Sequence, residues 1–369
     1  MEISISKSTF LKGLQLVQSI VEKRNTMPIL ANALIRTGDG SIDIVATDLE
    51  VGIKETVAAD IREAGSITVS ARKLFEIIKE LPTEKLTLKK KENNWVEISA
   101  GKALFSMVGI DPEDFPSFPA YEEVDFMTAD AATLREMIDK TSVAISADET
   151  RYNLNGAFIE RDAAGAIKLV ATDGHRLALI EKKVDGETSG IGEKGHIIPR
   201  KGIQEFKKLL DEAEGTVELG FKENRAILKK GEIVIVARLI EGEFPDYKPV
   251  IPSSRENKII LNREEFIRSL RRISILSDEK TRGIKFEFQG NTLTVSTTNP
   301  GLGEAKEELE IENSGNDLTV GFNARYVLDF LNVMKEETVA LFIADELSAA
   351  LMQDGGKDDF LAIVMPMRT

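Results

Sequence analysis

The 369-residue sequence contains no cysteine and only two histidines, His175 and His196. The absence of cysteine excludes disulfides, thiolate metal ligands and a cysteine nucleophile. Two histidines leave little material for an imidazole metal centre or an acid–base pair. The remaining composition, 42% hydrophobic and 30% charged, is that of a globular protein long enough for two or three domains.

Long apolar runs and a basic excess are also missing. No stretch approaches the ~18 apolar residues of a membrane span, and no apolar segment follows a basic start as in a signal peptide. We therefore expect a cytosolic protein without a membrane segment. The net charge of −14 argues against tight nucleic-acid binding, although the distribution of charge decides this more than its sum.

Three sequence markers recur at about one third of the chain length. The segment around Thr47 returns around Thr172, 125 positions further on, and more faintly around Thr298, another 126 on. The second marker is a basic helix start at Arg72, Arg200 and Arg325, and the third is a Phe-Pro or Met-Pro segment. This period suits whole domains better than solenoid repeats. The sequence predicts three copies of one fold, at 1–126, 127–256 and 257–369.

Each predicted copy holds two helices and several short β-branched strands. The helices are predicted at 8–21 and 72–81, at 129–143 and 201–210, and at 263–276 and 324–335. Asn262 with Glu265 three residues later is typical of a helix N-terminus. Strands are predicted, for example, at 217–221, 226–228 and 233–239. The expected fold class is α+β, with two helices packed on antiparallel sheet in each copy.

Basic residues concentrate on the predicted helices, while acidic runs such as 304–312 and 354–359 fall in strands and loops. The non-core side of the helix at 263–276 carries four arginines: Arg263, Arg268, Arg271 and Arg272. A charged helix face is usually just solvated. Its recurrence in all three copies favours a basic helix layer inside an acidic shell, which would touch DNA loosely.

Two segments point to a protein that holds other proteins. The tail Met365-Pro366-Met367-Arg368-Thr369 cannot be catalytic, but thioether side chains adapt well to different apolar guests. The turn Thr172-Asp173-Gly174-His175-Arg176-Leu177 can supply the polar edge of such a pocket.

Seven segments carry a resemblance to a known family. They are 25–32, 151–156, 171–177, 198–202, 244–247, 323–328 and 364–368. In their order and spacing the chain resembles the bacterial sliding clamp, the β subunit of DNA polymerase III, over essentially its full length. The resemblance implies three similar domains per subunit and a ring of two subunits joined head to tail, with helices lining the central hole.

The resemblance also implies function and partners. Duplex DNA would pass through the ring without sequence readout, and a separate loader would place the ring on DNA. DNA polymerase III α subunit, other polymerases and repair proteins would dock a short motif between the second and third domains. No catalytic residue, metal or cofactor is expected.

By the same resemblance, individual residues receive roles. The partner pocket would comprise Leu154, Thr172, Gly174, His175, Arg176, Leu177, Pro245, Val250, Asn323, Tyr326, Leu347, Ile363, Val364, Met365, Pro366, Met367 and Arg368. DNA contacts would fall on Arg24, Arg72, Lys73, Glu149, Arg151, Tyr152, Arg200 and Lys201. Subunit contacts would pair Phe105 and Met107 with Ile275 and Leu276 of the second copy.

Two positions depart from the family pattern. Asn153 stands where the family can carry a second aromatic residue that stacks on single-stranded template. Pro249 stands where a basic residue can border the pocket, so peptide preference can differ here.

Two other functions compete with this interpretation. Gly190, Gly192 and Gly195 match a dinucleotide-binding spacing, but the segment follows a loop and leads into Ile197-Ile198-Pro199 instead of a helix. The acidic pair Asp358-Asp359 could suggest a metal-dependent nucleic-acid enzyme, although no convergent set accompanies it. A structural homo-oligomeric scaffold without a DNA function would explain the repeat, but not the turn together with the tail.

Overall fold

A computed structural model describes residues 1–21, 27–184, 189–192, 194–252, 255 and 257–368. The described residues form six α-helices: α1 Lys7–Ile20, α2 Ala71–Glu80, α3 Ala131–Ser142, α4 Arg200–Glu212, α5 Arg263–Ile273 and α6 Ala324–Val333. All six predicted helices are present, with bounds shifted by a few residues. In the part of the chain that the structure describes, no helix is long and apolar enough to cross a membrane.

Strands in the described part of the chain fall into three groups, one per sequence repeat. The first group is β1 Glu2–Ser6, β2 Asn32–Thr37, β3 Ser41–Thr47, β4 Val51–Ala58, β5 Asp60–Glu63, β6 Ser66–Ser70, β7 Lys85–Lys90, β8 Trp95–Ala100 and β9 Ala103–Val108. The second is β10 Phe126–Asp130, β11 Gly156–Arg161, β12 Ile167–Thr172, β13 Arg176–Lys182, β14 His196–Pro199, β15 Thr216–Lys222, β16 Arg225–Lys230 and β17 Ile233–Arg238. The third is β18 Lys258–Asn262, β19 Gly283–Gln289, β20 Thr292–Asn299, β21 Gly303–Glu310, β22 Glu312–Asn313, β23 Leu318–Asn323, β24 Thr338–Phe342, β25 Ala350–Asp354 and β26 Phe360–Val364.

Each group follows the same order, in which a strand leads into a helix, further strands follow, and a second helix precedes the last three strands. All strand pairs given by the described residues are antiparallel. The sheet orders are β5-β1-β7-β8-β9, β10-β15-β16-β17-β4-β3-β2-β6, β14-β11-β12-β13-β26-β25-β24-β18-β22 and β21-β20-β19-β23. The predicted α+β class and threefold repetition are confirmed.

The two long sheets each join strands from two repeats. In one, β4 pairs with β17, with Gly52 opposite Val236. In the other, β13 pairs with β26, with Leu177 opposite Ile363. Accordingly the chain forms two compact units, Met1–Ala132 with Gln204–Leu239 and Thr133–Ile203 with Ile240–Thr369.

Helix positions follow from apolar spacing and capping. On α1, Phe10, Leu14 and Val17 are fully buried at helical spacing and pack the helix against β3 and β4. At the start of α5, the side chain of Asn262 accepts a hydrogen bond from the Glu265 backbone N–H at 3.0 Å, as predicted. The predicted helix 263–276 ends at Ile273 and continues as a 3₁₀ turn over Ser274–Leu276.

The prediction that Arg263 belongs to a solvated basic face of α5 is wrong. Its guanidinium donates to the carbonyl oxygens of Leu331 at 3.1 Å and Glu336 at 2.8 Å, and its side chain is only 16% exposed. It therefore satisfies carbonyl groups at and beyond the end of α6. Arg272 is also engaged within the chain, in an ion pair with Glu307.

Candidate functional site

The turn between β12 and β13 is held by hydrogen bonds from its own side chains. The Thr172 hydroxyl donates to the Arg176 carbonyl at 2.6 Å and accepts from the Gly174 N–H at 3.1 Å. The Asp173 carboxylate accepts from the N–H groups of His175 and Arg176. Gly174 has φ +87°, and a Cβ there would lie 3.0 Å from Arg151 Nη1. The Thr172 and Asp173 side chains therefore satisfy the backbone N–H groups of the turn, and Gly174 adopts the positive φ that the turn requires.

Arg176 is buried at the base of this turn. Its Nε lies 3.0 Å from Asp173 Oδ2, and its Nη1 lies 2.7 Å from Asp329 Oδ2 on α6. The guanidinium carbon is 4.4 Å from the ring centre of Tyr326. The side chain, 8% exposed, is therefore held in the turn by Asp173 and linked to α6 by the Asp329 ion pair and the Tyr326 ring.

The C-terminal tail runs beside this turn. Val364 on β26 lies opposite Arg176 on β13. Beyond the strand, the Met365 N–H donates to the His175 carbonyl at 2.9 Å, and the Met367 N–H donates to the Gly321 carbonyl at 2.9 Å. Sequence reasoning brought the turn and the tail together, and the structure confirms that they are adjacent.

A cavity of about 730 Å³ opens between the turn and the tail. Nine residues of the predicted pocket line it: Leu154, Thr172, Gly174, Arg176, Leu177, Pro245, Val250, Ile363 and Met365. Its wall is mainly apolar, and its polar side chains are those of Thr172, Arg176, Asp246, Tyr247 and Ser348. Such a concave apolar site with few polar groups suits the apolar side chains of a ligand.

Tyr247 forms part of this wall through a polar anchor. Its ring is buried against the apolar cluster that includes Leu177, Phe342 and Ile363, while its hydroxyl is 2.5 Å from Glu160 Oε1. Burial, together with the hydrogen bond to Glu160, raises the pKa of Tyr247 above its usual range. The phenol therefore stays neutral at physiological pH and donates to the carboxylate.

Other predicted pocket residues lie outside this cavity. His175 and Tyr326 stack with ring centres 6.3 Å apart and line a separate polar cavity of about 470 Å³ with Arg176. Burial raises the pKa of the Tyr326 phenol, and the nearby Asp173 carboxylate adds to this. Asn323 caps α6, since its side chain accepts from the Arg325 N–H.

The remaining tail residues differ in exposure. Val364 is buried in the sheet, Pro366 and Met367 are half-buried, and Arg368 is exposed. Leu347 is 77% exposed and contributes nothing to the wall of the 730 Å³ cavity.

The predicted DNA residues occupy three places. Arg24 lies outside the described residues. Arg72 and Lys73 are exposed on α2, where Lys73 pairs with Glu76 at 2.6 Å. Glu149, Arg151 and Tyr152 are exposed on the loop before β11, while Arg200 and Lys201 start α4 and are half-buried. Arg151 and Arg200 both line the polar cavity beside Arg176.

The predicted subunit contacts lie at the ends of the chain's sheets. Phe105, 39% exposed, and Met107, half-buried, are on β9, an edge strand. Ile275, 75% exposed, and Leu276, half-buried, are on the 3₁₀ turn after α5, which packs against β20 and β21. Exposed apolar side chains beside an open sheet edge are typical of an assembly surface.

The three repeats match three known protein-family domains. Models of the DNA polymerase III beta subunit match in order, with the N-terminal domain over residues 1–119, the central domain over 128–246 and the C-terminal domain over 248–368. The chain belongs to the DNA polymerase III beta subunit family. The sequence-based resemblance is thereby confirmed. Members of this family are non-catalytic processivity factors, in agreement with the prediction that the chain is not an enzyme.

Individual relatives agree over their full length. The beta sliding clamp of Pseudomonas aeruginosa is 36% identical over 370 residues, and that of Escherichia coli K12 is 32% identical, each with complete coverage of both chains. A crystal structure of the Pseudomonas aeruginosa sliding clamp bound to griselimycin superposes with a TM-score of 0.94 at 35% identity, again over both whole chains. The chain therefore has the three-domain architecture of a sliding clamp.

Several cavity residues of this clamp chain escaped sequence reasoning. They are Asp246, Tyr247, Pro252, Phe342, Ala344, Ser348 and Ala349, whereas Pro249, which also lines the cavity, was already expected at its border. The Phe-Pro-Asp-Tyr marker contains Asp246 and Tyr247, so the repeat could have identified both. Phe342 ends β24, which reaches the site only through the sheet order β26-β25-β24. No local signal marks that strand.

The rival enzyme sites receive no geometric support. In the residues that the structure describes, no group of three or more Asp, Glu or His side chains is placed to hold a metal ion. Asp359 pairs with Lys182 at 2.7 Å, and Asp358 accepts from the Gln353 amide at 2.6 Å. Gly190 lies in a 3₁₀ turn, and Gly192 directly follows it. The next element is β14, so the described part of this segment does not lead into the α-helix that a dinucleotide-binding motif requires.

Proposed function

We propose that two copies of this chain close head to tail into a ring that encircles duplex DNA and keeps replication proteins on it. Family membership over the full length supports this function, and the exposed apolar residues beside β9 and β21 support the assembly. The repeats at 1–126, 127–256 and 257–369 would be the three domains of each subunit. The chain would act in the cytoplasm.

The acidic balance of the chain suits this role. A closed ring stays on DNA by topology, so its contacts with phosphate need only be weak, and a strongly basic surface would slow sliding. We assign these weak contacts to Arg24, Arg72, Lys73, Glu149, Arg151, Tyr152, Arg200 and Lys201. Glu149 would moderate the attraction of its basic neighbours.

The 730 Å³ cavity carries the proposal for partner binding. A short segment of the DNA polymerase III α subunit, another polymerase, the clamp loader or a repair protein would insert leucine and phenylalanine side chains here. Each fully buried apolar side chain contributes roughly 1.5–3 kcal/mol. His175, Tyr326, Asn323, Leu347, Val364 and the tail 366–368 would contact the flanking parts of the same segment.

The ring is tested by topology. The clamp is loaded on nicked circular DNA with its loader and ATP, passed through a sizing column in moderate salt, and then treated with an enzyme that linearises the DNA. We expect retention on the circle and release from the linear form. Equal retention on both forms would show ordinary binding instead of encirclement and would overturn the proposal.

The cavity is tested with a labelled Gln-Leu-Ser-Leu-Phe peptide by fluorescence polarisation. Val250 is 40% exposed at the cavity wall, so Val250→Glu should abolish binding without disturbing the core. Leu302, 64% exposed and outside the cavity, provides the matched variant Leu302→Glu, which should bind normally. Removal of residues 365–369 should also abolish binding. Unchanged affinity in Val250→Glu would place the peptide elsewhere.

A further inference from the structure

Sulfur occurs in this chain only in methionine. The sequence has nine methionines and no cysteine. A peroxide therefore meets no thiol, and the thioethers are the sulfur groups that it can attack. Because oxidation of a side chain depends on access, the exposure of each methionine decides which of them is modified.

The methionines differ widely in exposure. Five of them are at most 7% exposed and so closed to an oxidant: Met1, Met127, Met137, Met334 and Met352. Met107, a predicted subunit contact, and Met367 are half-buried. In the part of the chain that the structure describes, the exposed methionines are Met27 at 44% and Met365 at 41%.

Of these two, Met365 lies at the peptide cavity. It belongs to the mainly apolar wall of the 730 Å³ cavity, and its N–H donates to the His175 carbonyl at 2.9 Å. Met27 belongs to the first compact unit, directly before the 3₁₀ turn Pro28–Ala31, and has no part in the lining of this cavity. The chain thus has one accessible thioether in the cavity wall and a second that serves as its matched control.

Oxidation would make this part of the wall polar. In the reaction with hydrogen peroxide, the O–O bond breaks, the sulfur lone pair forms a bond to one oxygen, and the other oxygen leaves as water with both protons. The sulfur is oxidised by two electrons, and the peroxide is reduced by two. The product, methionine sulfoxide, is polar and chiral, and this change disrupts interfaces that depend on methionine.

The donor side chains of the cavity lining are already engaged. The three hydroxyl groups donate within the chain, Thr172 to the Arg176 carbonyl, Tyr247 to Glu160, and Ser348 to Asp345. The Arg176 guanidinium is held by its two ion pairs. A sulfoxide oxygen covered by a bound segment would therefore compete for one of these donors or stay without one. A buried acceptor without a donor weakens binding.

We propose that Met365 is a modification site, at which oxidation by a peroxide lowers the affinity of the clamp for its partners. In the reduced clamp the thioether would contact the apolar side chains of a partner segment, whereas the sulfoxide would oppose their burial. The inference rests on the proposed function, because it concerns the same cavity. A bound segment would also cover Met365, so that the oxidant acts on clamps whose cavity is empty.

Peptide mapping by mass spectrometry tests the modification on the full-length clamp. The protein is exposed to hydrogen peroxide, and the sulfoxide fraction at each methionine is followed over time. We expect Met27 and Met365 to be oxidised before the buried methionines. Gln-Leu-Ser-Leu-Phe at about ten times its dissociation constant should slow oxidation of Met365 about tenfold, because only the free cavity reacts, and leave the rate at Met27 unchanged. Oxidation of Met365 at the rate of the buried methionines would overturn the proposal.

Fluorescence polarisation of the same peptide measures the consequence, and each protein is compared with itself before and after peroxide. Oxidation should weaken binding about tenfold in the wild-type chain and in Met27→Leu, because an acceptor is then buried without a donor. Met365→Leu has an apolar side chain of similar volume without the sulfur, so peroxide should not change its affinity. An equal loss in Met365→Leu and Met27→Leu would refute the role of Met365.

Enzymatic repair distinguishes the sulfoxide from other damage. Methionine sulfoxide reductases for both epimers, supplied with a dithiol, return the thioether, while the oxygen leaves as water and the dithiol becomes a disulfide. This treatment should restore the affinity. Met367 is half-buried two residues further along the tail, and Met367→Leu should remain sensitive to peroxide. Protection by Met367→Leu, or a loss that repair does not reverse, would contradict the assignment to Met365.

Failure of the inference is separable from failure of the proposed function. Peptide binding to the reduced clamp that persists after complete oxidation of Met365 would refute only the inference. Absence of peptide binding to the reduced clamp, together with rapid oxidation of Met365, would refute the assignment of the cavity and the effect on partners, and would leave Met365 as the site of modification.

Discussion

Substitution of Arg176 by alanine should both destabilise the pairing of β13 with β26 and lower the affinity for partner peptides. The change removes the ion pairs with Asp173 and Asp329 and the contact with the Tyr326 ring. It also removes part of the wall of the peptide cavity. Asp173 then remains partly buried without its cation, and Asp329 keeps only Arg325, whose Nε is 3.8 Å from Asp329 Oδ2.

The expected loss of stability follows from the burial of these groups. Removing one partner of a buried ion pair costs about 3–5 kcal/mol, whereas an exposed pair contributes at most about 1 kcal/mol. Arg176 is 8% exposed, but Asp173 is 15% and Asp329 is 30% exposed, so water screens part of the interaction. We expect about 2–3 kcal/mol from these limits, and at least about tenfold weaker peptide binding.

Hydrogen exchange of backbone amides is the appropriate assay. A chain with several domains does not unfold in one step, so a single free energy of unfolding is poorly defined. The exchange of amides on β13 and β26 reports the local opening free energy instead. Fluorescence polarisation of the Gln-Leu-Ser-Leu-Phe peptide measures the second effect.

Two further variants separate charge from packing. Asp329→Asn keeps the Arg176 pair with Asp173 and should cost under about 1.5 kcal/mol. In the double variant with Arg176→Ala, the loss should be smaller than the sum of the single losses, because both changes remove the same Arg176–Asp329 ion pair. Exchange on β13 within ~0.5 kcal/mol of wild type in Arg176→Ala, with unchanged peptide affinity, would refute the role given to Arg176.

Three other outcomes follow from the structure. Ile275→Asp with Leu276→Asp should yield a folded monomer by light scattering, and an unchanged dimer mass would rule out the proposed interface. The Lys140 side chain is 5% exposed and lies between Glu136 and Asp354. Lys140→Met should lower the local opening free energy, measured by hydrogen exchange, by about 3–5 kcal/mol, because both carboxylates lose a buried cation. An unchanged opening free energy would contradict this. Glu55 is buried, and one of its carboxyl oxygens has no hydrogen-bond partner among the described residues. Burial raises the pKa of Glu55, although Lys12 partly opposes this. The protonated form is therefore favoured in the folded chain, and the stability that it gives at acidic pH should be lost as pH rises through the raised pKa. Glu55→Gln should remove that fall in pH-dependent melting, and an unchanged pH profile would refute it.

The sequence revealed those features whose cause lies within a few residues. The α5 helix was predicted from its apolar spacing and its Asn262 cap, both of which act locally. Its end was missed because Ile275 and Leu276 continue the apolar spacing beyond Ile273, where the structure turns to 3₁₀ geometry. The partner of Arg263, the end of α6, became visible only when the two helices were packed together.

At the candidate site, too, the features with a local cause were predicted, and those that depend on strand pairing were missed. The turn from Thr172 and the tail from Met365 were recognised because both carry residues with specific conformational or chemical roles. Phe342 was missed, since it is an ordinary strand residue that reaches the cavity through the pairing of three strands. His175 and Leu177 line different cavities because His175 belongs to the turn before β13, whereas Leu177 lies within the strand.

The pairing of β4 with β17 also has a consequence for biosynthesis. About 180 residues separate the end of β4 from the end of β17, so the ribosome releases β4 long before its sheet partner exists. At roughly 5–20 residues per second the edge of β4 waits for about 10–35 s. An unpaired edge of this kind attracts strands of other chains. Nascent clamps therefore face their greatest risk of aggregation during synthesis of the central repeat, when chaperone protection of this edge would matter most.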